Sequence, residues 1–415
     1  MFYSCLKNTL LFLAALLFSC GTGTHQKNNS SQTETHKTSV PEKNNQNIVV
    51  GANRTEMYLP LLKGKKVAVL GNQTSVVFKN EKQTKYTHLV DSLVTLGVNV
   101  TTVFSPEHGF RGKAAAGEIV KDGIDVKTGL PIVSLYGDNK KPTPEQLKNI
   151  AILIFDIQDV GARFYTYIST LHYVMESCAE QNIPIIILDR PNPNGHYIDG
   201  PILEAEHQSF VGMHPVPVVH GMTIGEYAKM INGERWLKNG VQANLTVIEM
   251  ENYHKQKSYS LPIKPSPNLP NDQAINLYPS LCFFEGTSVS AGRGTDHQFQ
   301  VFGSPFLDKS VYGYSFVPKP NAGSKYPKHE GETCYGKNLS NFPRLSKINL
   351  KWLIEAYQNT ENSSEFFTPF FTKLAGTETL QQQIEQGFSA EKIRKSWEKG
   401  LKEYDKMREE YLLYE

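Results

Sequence analysis

The sequence predicts an α/β protein built on a mostly parallel sheet with helices on both faces. Three observations lead there. Short apolar runs recur between residues 65 and 188, separated by stretches of helical spacing. The runs are largely apolar rather than alternating, as strands covered on both faces are. Each run gives way to a polar residue, the place where open parallel sheets bind their ligands.

Taken in order, residues 65–70 (KKVAVL) form the first run and stop at Gly71-Asn72. Residues 88–96 carry Leu89, Val90, Leu93 and Leu96 at helical spacing. Residues 98–104 are β-branched and read as a strand, and 132–135 as a short one. Thr143-Pro144-Glu145-Gln146 has the cap, first-turn proline and acidic start of a helix. Residues 150–155 (IAILIF) and 183–188 (IPIIIL) are buried strands flanking a helix over 164–179. Residues 264–270 (KPSPNLP) are proline-rich and extended, an expected connector between domains. A Gly/Ser-containing stretch, 285–303, and a Tyr/Pro/Gly-rich stretch to about 345 follow. Helices dominate from 347 onward, ending in a charge-laced amphipathic one over 389–414 that reads as a covering element.

Composition narrows the function. The 415 residues hold 43 Lys+Arg against 41 Asp+Glu, a net charge of +2 that is far from a nucleic-acid binder's. With 20 Tyr and 21 Phe, disorder is excluded for most of the chain. Residues 1–19 read as a signal peptide, with an apolar stretch over 10–18 too short to span a bilayer. The Leu17-Phe18-Ser19-Cys20-Gly21 junction resembles a bacterial lipobox, making Cys20 the expected lipid attachment site. Phe18 departs from the small or branched residue usual there. Residues 20–47 are polar and read as a disordered tether. The expectation is an exported, periplasm-facing lipoprotein of the cell envelope. Cys178, Cys282 and Cys334 are expected as buried thiols.

The strand ends supply the chemistry. Asn72, Glu107, Asp156 and Asp189 each follow a strand, which gathers carboxylates at one rim. Three polar loops share that rim: 105–112 (SPEHGFRG), 156–165 (DIQDVGARFY) and 189–195 (DRPNPNG). The same residue types also cap helices and form turns. No G-x-G-x-x-G, Walker A, H-E-x-x-H or G-x-S-x-G motif occurs, and no His pair stands at metal spacing. No cofactor and no metal is expected. Carboxylates, Arg, Asn and Tyr together suit sugar chemistry, where two acids flank a glycosidic bond and an Arg fork holds an anion.

Five motifs extend this reading: 71–75 (GNQTS), 105–112 (SPEHGFRG), 155–167 (FDIQDVGARFYTY), 189–193 (DRPNP) and 292–296 (GRGTD). They resemble the NamZ family of exo-β-N-acetylmuramidases, over nearly all of the chain from about residue 50. The resemblance implies a Rossmann-like N-terminal domain, 48–258, and a smaller α+β domain, 259–415, with the active site in the cleft between them. It also implies release of terminal N-acetylmuramic acid from the non-reducing end of peptidoglycan fragments. Glu107 corresponds to the glutamate proposed as catalytic in that family.

Glu107 is therefore the expected general acid. Asp156 is the expected second carboxylate, with Asp159 next and the substrate's own acetamido group a third option. Arg111, Arg163 and Arg293 are candidates for the lactyl carboxylate. Asn72 and His108 suit sugar hydroxyls, and of Tyr165 and Tyr167, two apart on one loop, one suits the sugar face and the other the core. Glu118, Asp189 and Asp296 complete the candidates. Two other classes stay open: a muropeptide-binding lipoprotein without turnover, and an ester or amide hydrolase of wall peptides.

Overall fold

In the computed structural model, residues 46–112 and 122–415 are described, and Gln46–Glu415 forms one compact unit. The strands are β1 (Val67–Gly71), β2 (Val76–Phe78), β3 (Tyr86–His88), β4 (Val100–Ser105), β5 (Gly123–Ile124) and β6 (Pro131–Ser134), then β7 (Ile152–Asp156), β8 (Ile185–Leu188), β9 (Leu245–Ile248), β10 (Val301–Ser304), β11 (Tyr314–Phe316) and β12 (Cys334–Asn338). The helices are α1 (Thr55–Leu62), α2 (Leu89–Thr95), α3 (Tyr167–Glu180), α4 (Ile224–Gly233) and α5 (Asp272–Leu281), then α6 (Lys351–Gln358), α7 (Phe370–Ala375), α8 (Thr379–Glu385) and α9 (Ala390–Glu409).

The large sheet runs β5-β6-β4-β1-β7-β8-β9, and every pairing is parallel except the β5 edge. Its six parallel strands follow the doubly wound order, reversing direction at β1 and β7. Side chains alternate between two cores because successive Cβ atoms point to opposite faces. Ala68, Leu70, Leu153, Phe155, Ile185 and Ile187 face one core, and Val67, Val69, Ile152, Ile154, Ile186 and Leu188 face the other. Both faces are dry, which is why these strands read as unbroken apolar runs.

The C-terminal part adds a three-stranded antiparallel sheet, β10-β12-β11, and helices α6 to α9. Its apolar residues, among them Phe302, Leu353, Phe371 and Trp397, belong to the same core as Phe155 and Ile187. Helix α9 does cover: Tyr404 donates to the carbonyl of His220 at 2.7 Å, with Ile393 and Trp397 buried beneath it. Cys178, Cys282 and Cys334 are free and buried.

Two local expectations need correction. Residues 143–146 make the hydrogen bonds of a capping box, Gln146 N to Thr143 Oγ1 and Thr143 N to Gln146 Oε1, but only turns follow. Ile150 closes that turn on Leu147 and leads into β7 before a helix can propagate. The proline-rich 264–270 stretch is more than a connector, since Ser266, Asn268 and Leu269 are buried and face the main cavity. Cys20 and Glu118 lie outside the described residues.

Candidate active site

A cavity of about 710 Å³ opens beyond the carboxyl end of β4, roofed by residues of the C-terminal part. Glu107 enters it from one side. Strand β4 stops at Ser105, Pro106 follows, and Gly109 N closes a turn on Pro106 O at 3.1 Å. Within that turn His108 sits at φ +70°, costly for a residue with a Cβ and typical of residues held for function. Its Nε2 is 3.1 Å from Ser266 Oγ.

The Glu107 carboxyl is aimed by two hydroxyls. Tyr136 donates to Oε1 at 3.1 Å and Thr166 to Oε2 at 2.9 Å. Thr166 is the N-cap residue of α3, yet its side chain makes no cap bond and is given to Glu107 instead. The positive end of a 14-residue helix thus lies beside the carboxyl group. Hydroxyls rotate and can donate or accept, so this pair serves both protonation states of an acid. Beneath the turn, Asn72 Nδ2 donates to Tyr167 Oη at 2.9 Å, and that hydroxyl points at the Glu107 carbonyl. Asn72 therefore supports the Glu107 loop and does not line the cavity.

Glu285 and Arg293 line the same cavity, joined by an ion pair of 3.0 Å with each side chain about a quarter exposed. Burial alone would lower the Arg293 guanidinium, but the Glu285 charge outweighs it and raises it. Arg293 also lies over the Phe299 ring at 5.1 Å. Aromatic walls come from Phe164, Tyr165, Tyr278 and Phe299, with Tyr326 at 90% exposure on the rim. Tyr165 itself is buried, its hydroxyl donated to Pro265 O at 2.8 Å.

The other candidates are spent on the scaffold. Asp156 is fully buried, and Arg190 takes both its oxygens, Nε to Oδ1 at 2.6 Å and Nη2 to Oδ2 at 2.9 Å. Burial raises this carboxyl against the pull of Arg190. It does not line the cavity, so the expectation that it is the second carboxylate is withdrawn. Asp159 accepts from Gly161 N at 2.7 Å and faces His220, away from the cavity. Arg163 is fully buried and donates to the carbonyls of Pro201, Val216, Leu374 and Ala375, and burial lowers it to about 9. Arg111 is clamped by Asp125 at 2.7 Å and Asp91 at 3.0 Å. Neither arginine can meet a ligand in the cavity. Asp189 accepts from Thr223, Gly225 N and Tyr414, and burial raises it to about 6 despite those donors. Asp296 is exposed and outside the cavity.

The sequence reading missed Tyr136, Ser266, Asn268 and Glu285. A signal existed for Glu285: it is an acid directly after the apolar Leu281-Cys282-Phe283-Phe284 run, where a buried segment meets the cavity.

A doubly wound sheet carrying acids, an arginine and aromatic walls in one cavity suits a hydrolase of carbohydrate type. The comparisons narrow that class. Residues 67–273 match the family model described as exo-beta-N-acetylmuramidase NamZ, N-terminal, and residues 276–414 match its C-terminal counterpart. The chain belongs to the NamZ family. It is 40% identical over 383 residues to the peptidoglycan beta-N-acetylmuramidase NamZ of Bacillus subtilis (strain 168), covering 86% of this chain and 89% of that protein. Two crystal structures of DUF1343 family proteins from Bacteroides fragilis NCTC 9343 share the fold. One is 46% identical with a TM-score of 0.82, the other 28% with 0.73, and each alignment covers 89% of this chain and 99% of that one.

Proposed function

We propose that the protein is an exo-acting glycoside hydrolase that releases N-acetylmuramic acid from the non-reducing end of peptidoglycan fragments. The observation that carries this is Glu107, its carboxyl held by Tyr136 and Thr166 in a cavity of about 710 Å³ lined from both of the family's segments. The named activity of the Bacillus relative supports it. Glu107 gives its proton to the leaving glycosidic oxygen, and the hydroxyls beside it reorient as the carboxylate forms. Arg293 supports the choice of sugar. Its Nε is taken by Glu285, and no other described residue takes its terminal nitrogens, so a planar fork is left for the lactyl carboxylate. We further propose that Cys20 anchors the protein to the envelope membrane through lipid, with residues 20–47 as tether.

The test is release of chromophore from an aryl β-N-acetylmuramide and from the matching glucosaminide. Turnover of the muramide, with monosaccharide as the only product from wall fragments, is expected. Binding without turnover, or equal rates on both sugars, overturns the reading. Arg293→Lys keeps charge but loses the fork. It should cut the preference for the muramide by about 10- to 150-fold, the value of a charged hydrogen bond of roughly 1.5–3 kcal/mol.

A further inference from the structure

We infer that Glu285 is the second carboxylate of the reaction, the group that meets the electron-poor anomeric carbon on the side away from Glu107. This rests on the glycosidase reading above. Among the described residues, Glu107 and Glu285 are the two carboxylates that line the cavity. They arrive from different parts of the fold, Glu107 from the end of β4 and Glu285 from the turn after α5. A substrate in the cavity thus meets carboxylates carried by two separate elements.

Glu285 is held as firmly as a reacting group requires. It sits in a 3₁₀ turn, Cys282–Gly286, anchored by the fully buried rings of Phe283 and Phe284. Gly286 permits the close approach of α7, since a Cβ there would stand 2.5 Å from Phe371 Cα. Lys328 Nζ ties down the same turn by donating to the carbonyls of Phe284 and Val289, each at 3.1 Å. One face of the Glu285 carboxylate is paired with Arg293. The pair keeps a charged group in an aromatic cavity from standing uncompensated, and both of its members line the cavity that Glu107 lines.

The step balances as hydrolysis. The C1–O bond breaks, its electron pair leaves on the oxygen, and Glu107 supplies the proton. Glu285 faces C1 as positive charge grows there, and water supplies the final bond to C1 and the proton that restores the acid.

The experiment compares wild type with Glu285→Ala and Glu285→Gln on an aryl β-N-acetylmuramide whose good leaving group needs little protonation. Wild-type turnover must come first, and its absence would fault the glycosidase reading rather than this assignment. With wild type active, kcat of both variants should fall by about 10²- to 10⁴-fold on the activated substrate, unlike a loss at Glu107. Sodium azide should restore Glu285→Ala by bonding to C1 in the vacated space, giving the α-glycosyl azide as the leaving group departs. Binding of the product sugar, followed by fluorescence, reports that the variants are folded. If Glu285 only holds Arg293, KM rises, kcat stays within about tenfold, and no azide adduct forms. That result overturns the assignment, as does an adduct-free loss of kcat in a variant that binds product normally.

Discussion

Replacing Glu107 with Gln isolates proton donation from everything else this residue does. The carboxyl accepts one hydroxyl at each oxygen. Gln keeps a carbonyl for one donor and offers an NH₂ to the other, whose hydroxyl then turns to accept. Neutral hydrogen bonds are worth about 0.5–1.5 kcal/mol each, so exchanging these two should change stability by about that much. Chemistry should change far more. Losing general acid catalysis costs about 10²- to 10⁴-fold, or roughly 2.7–5.4 kcal/mol at about 1.36 kcal/mol per decade. The assay is turnover of an unactivated disaccharide beside an aryl muramide, with melting temperature as control. The disaccharide should lose most and the aryl substrate less. A Glu107→Gln protein with wild-type melting and near wild-type disaccharide turnover would refute the reasoning.

Other expectations follow from the scaffold. Asp156→Asn leaves Arg190 buried beside a neutral partner, so stability should fall by about 3–5 kcal/mol in denaturant titration while turnover per folded molecule persists. A large kcat loss in a stably folded variant would return Asp156 to the chemistry. Asp189, raised to about 6 from an ordinary value near 3.8, binds its proton more tightly folded than unfolded. Its contribution is complete below about pH 4 and is lost as pH rises through 6. Asp189→Asn should flatten that part of the melting profile between pH 4 and 6.5, and an unchanged slope would count against it. Cys20→Ala should move the protein from the membrane pellet to the soluble exported fraction with activity intact, and a wild type already soluble there removes the anchor.

The fold was legible because strands covered on both faces must be apolar throughout. The runs at 65–70, 150–155 and 183–188 could become little else, and they form β1, β7 and β8. Glu107 was legible for a related reason: a stiff turn after a rigid strand can aim only where the strand ends point. Asp156 looked equivalent in one dimension. Its fate is decided by Arg190, 34 positions away in sequence, whose side chain returns across the strand ends. Residue type at a strand end tells where a carboxyl starts, and its partner tells whether any of it is left. Arg163 carried the same ambiguity, since four main-chain carbonyls that claim it have no sequence signature at all. Glu285 and Asn268 escaped notice because the cavity is closed by segments that look like connectors.

The cation at Arg163 has a wider implication. It binds carbonyls at Pro201 and Val216 on one side and at Leu374 and Ala375 in α7 on the other, with no anion among them. One continuous core joins the same two regions. An enzyme stitched in this way cannot select its substrate by swinging two lobes shut. Parting the two regions would strip a fully buried guanidinium of two of its four acceptors, so adjustment of the cavity to a ligand falls to the loops that line it rather than to a hinge.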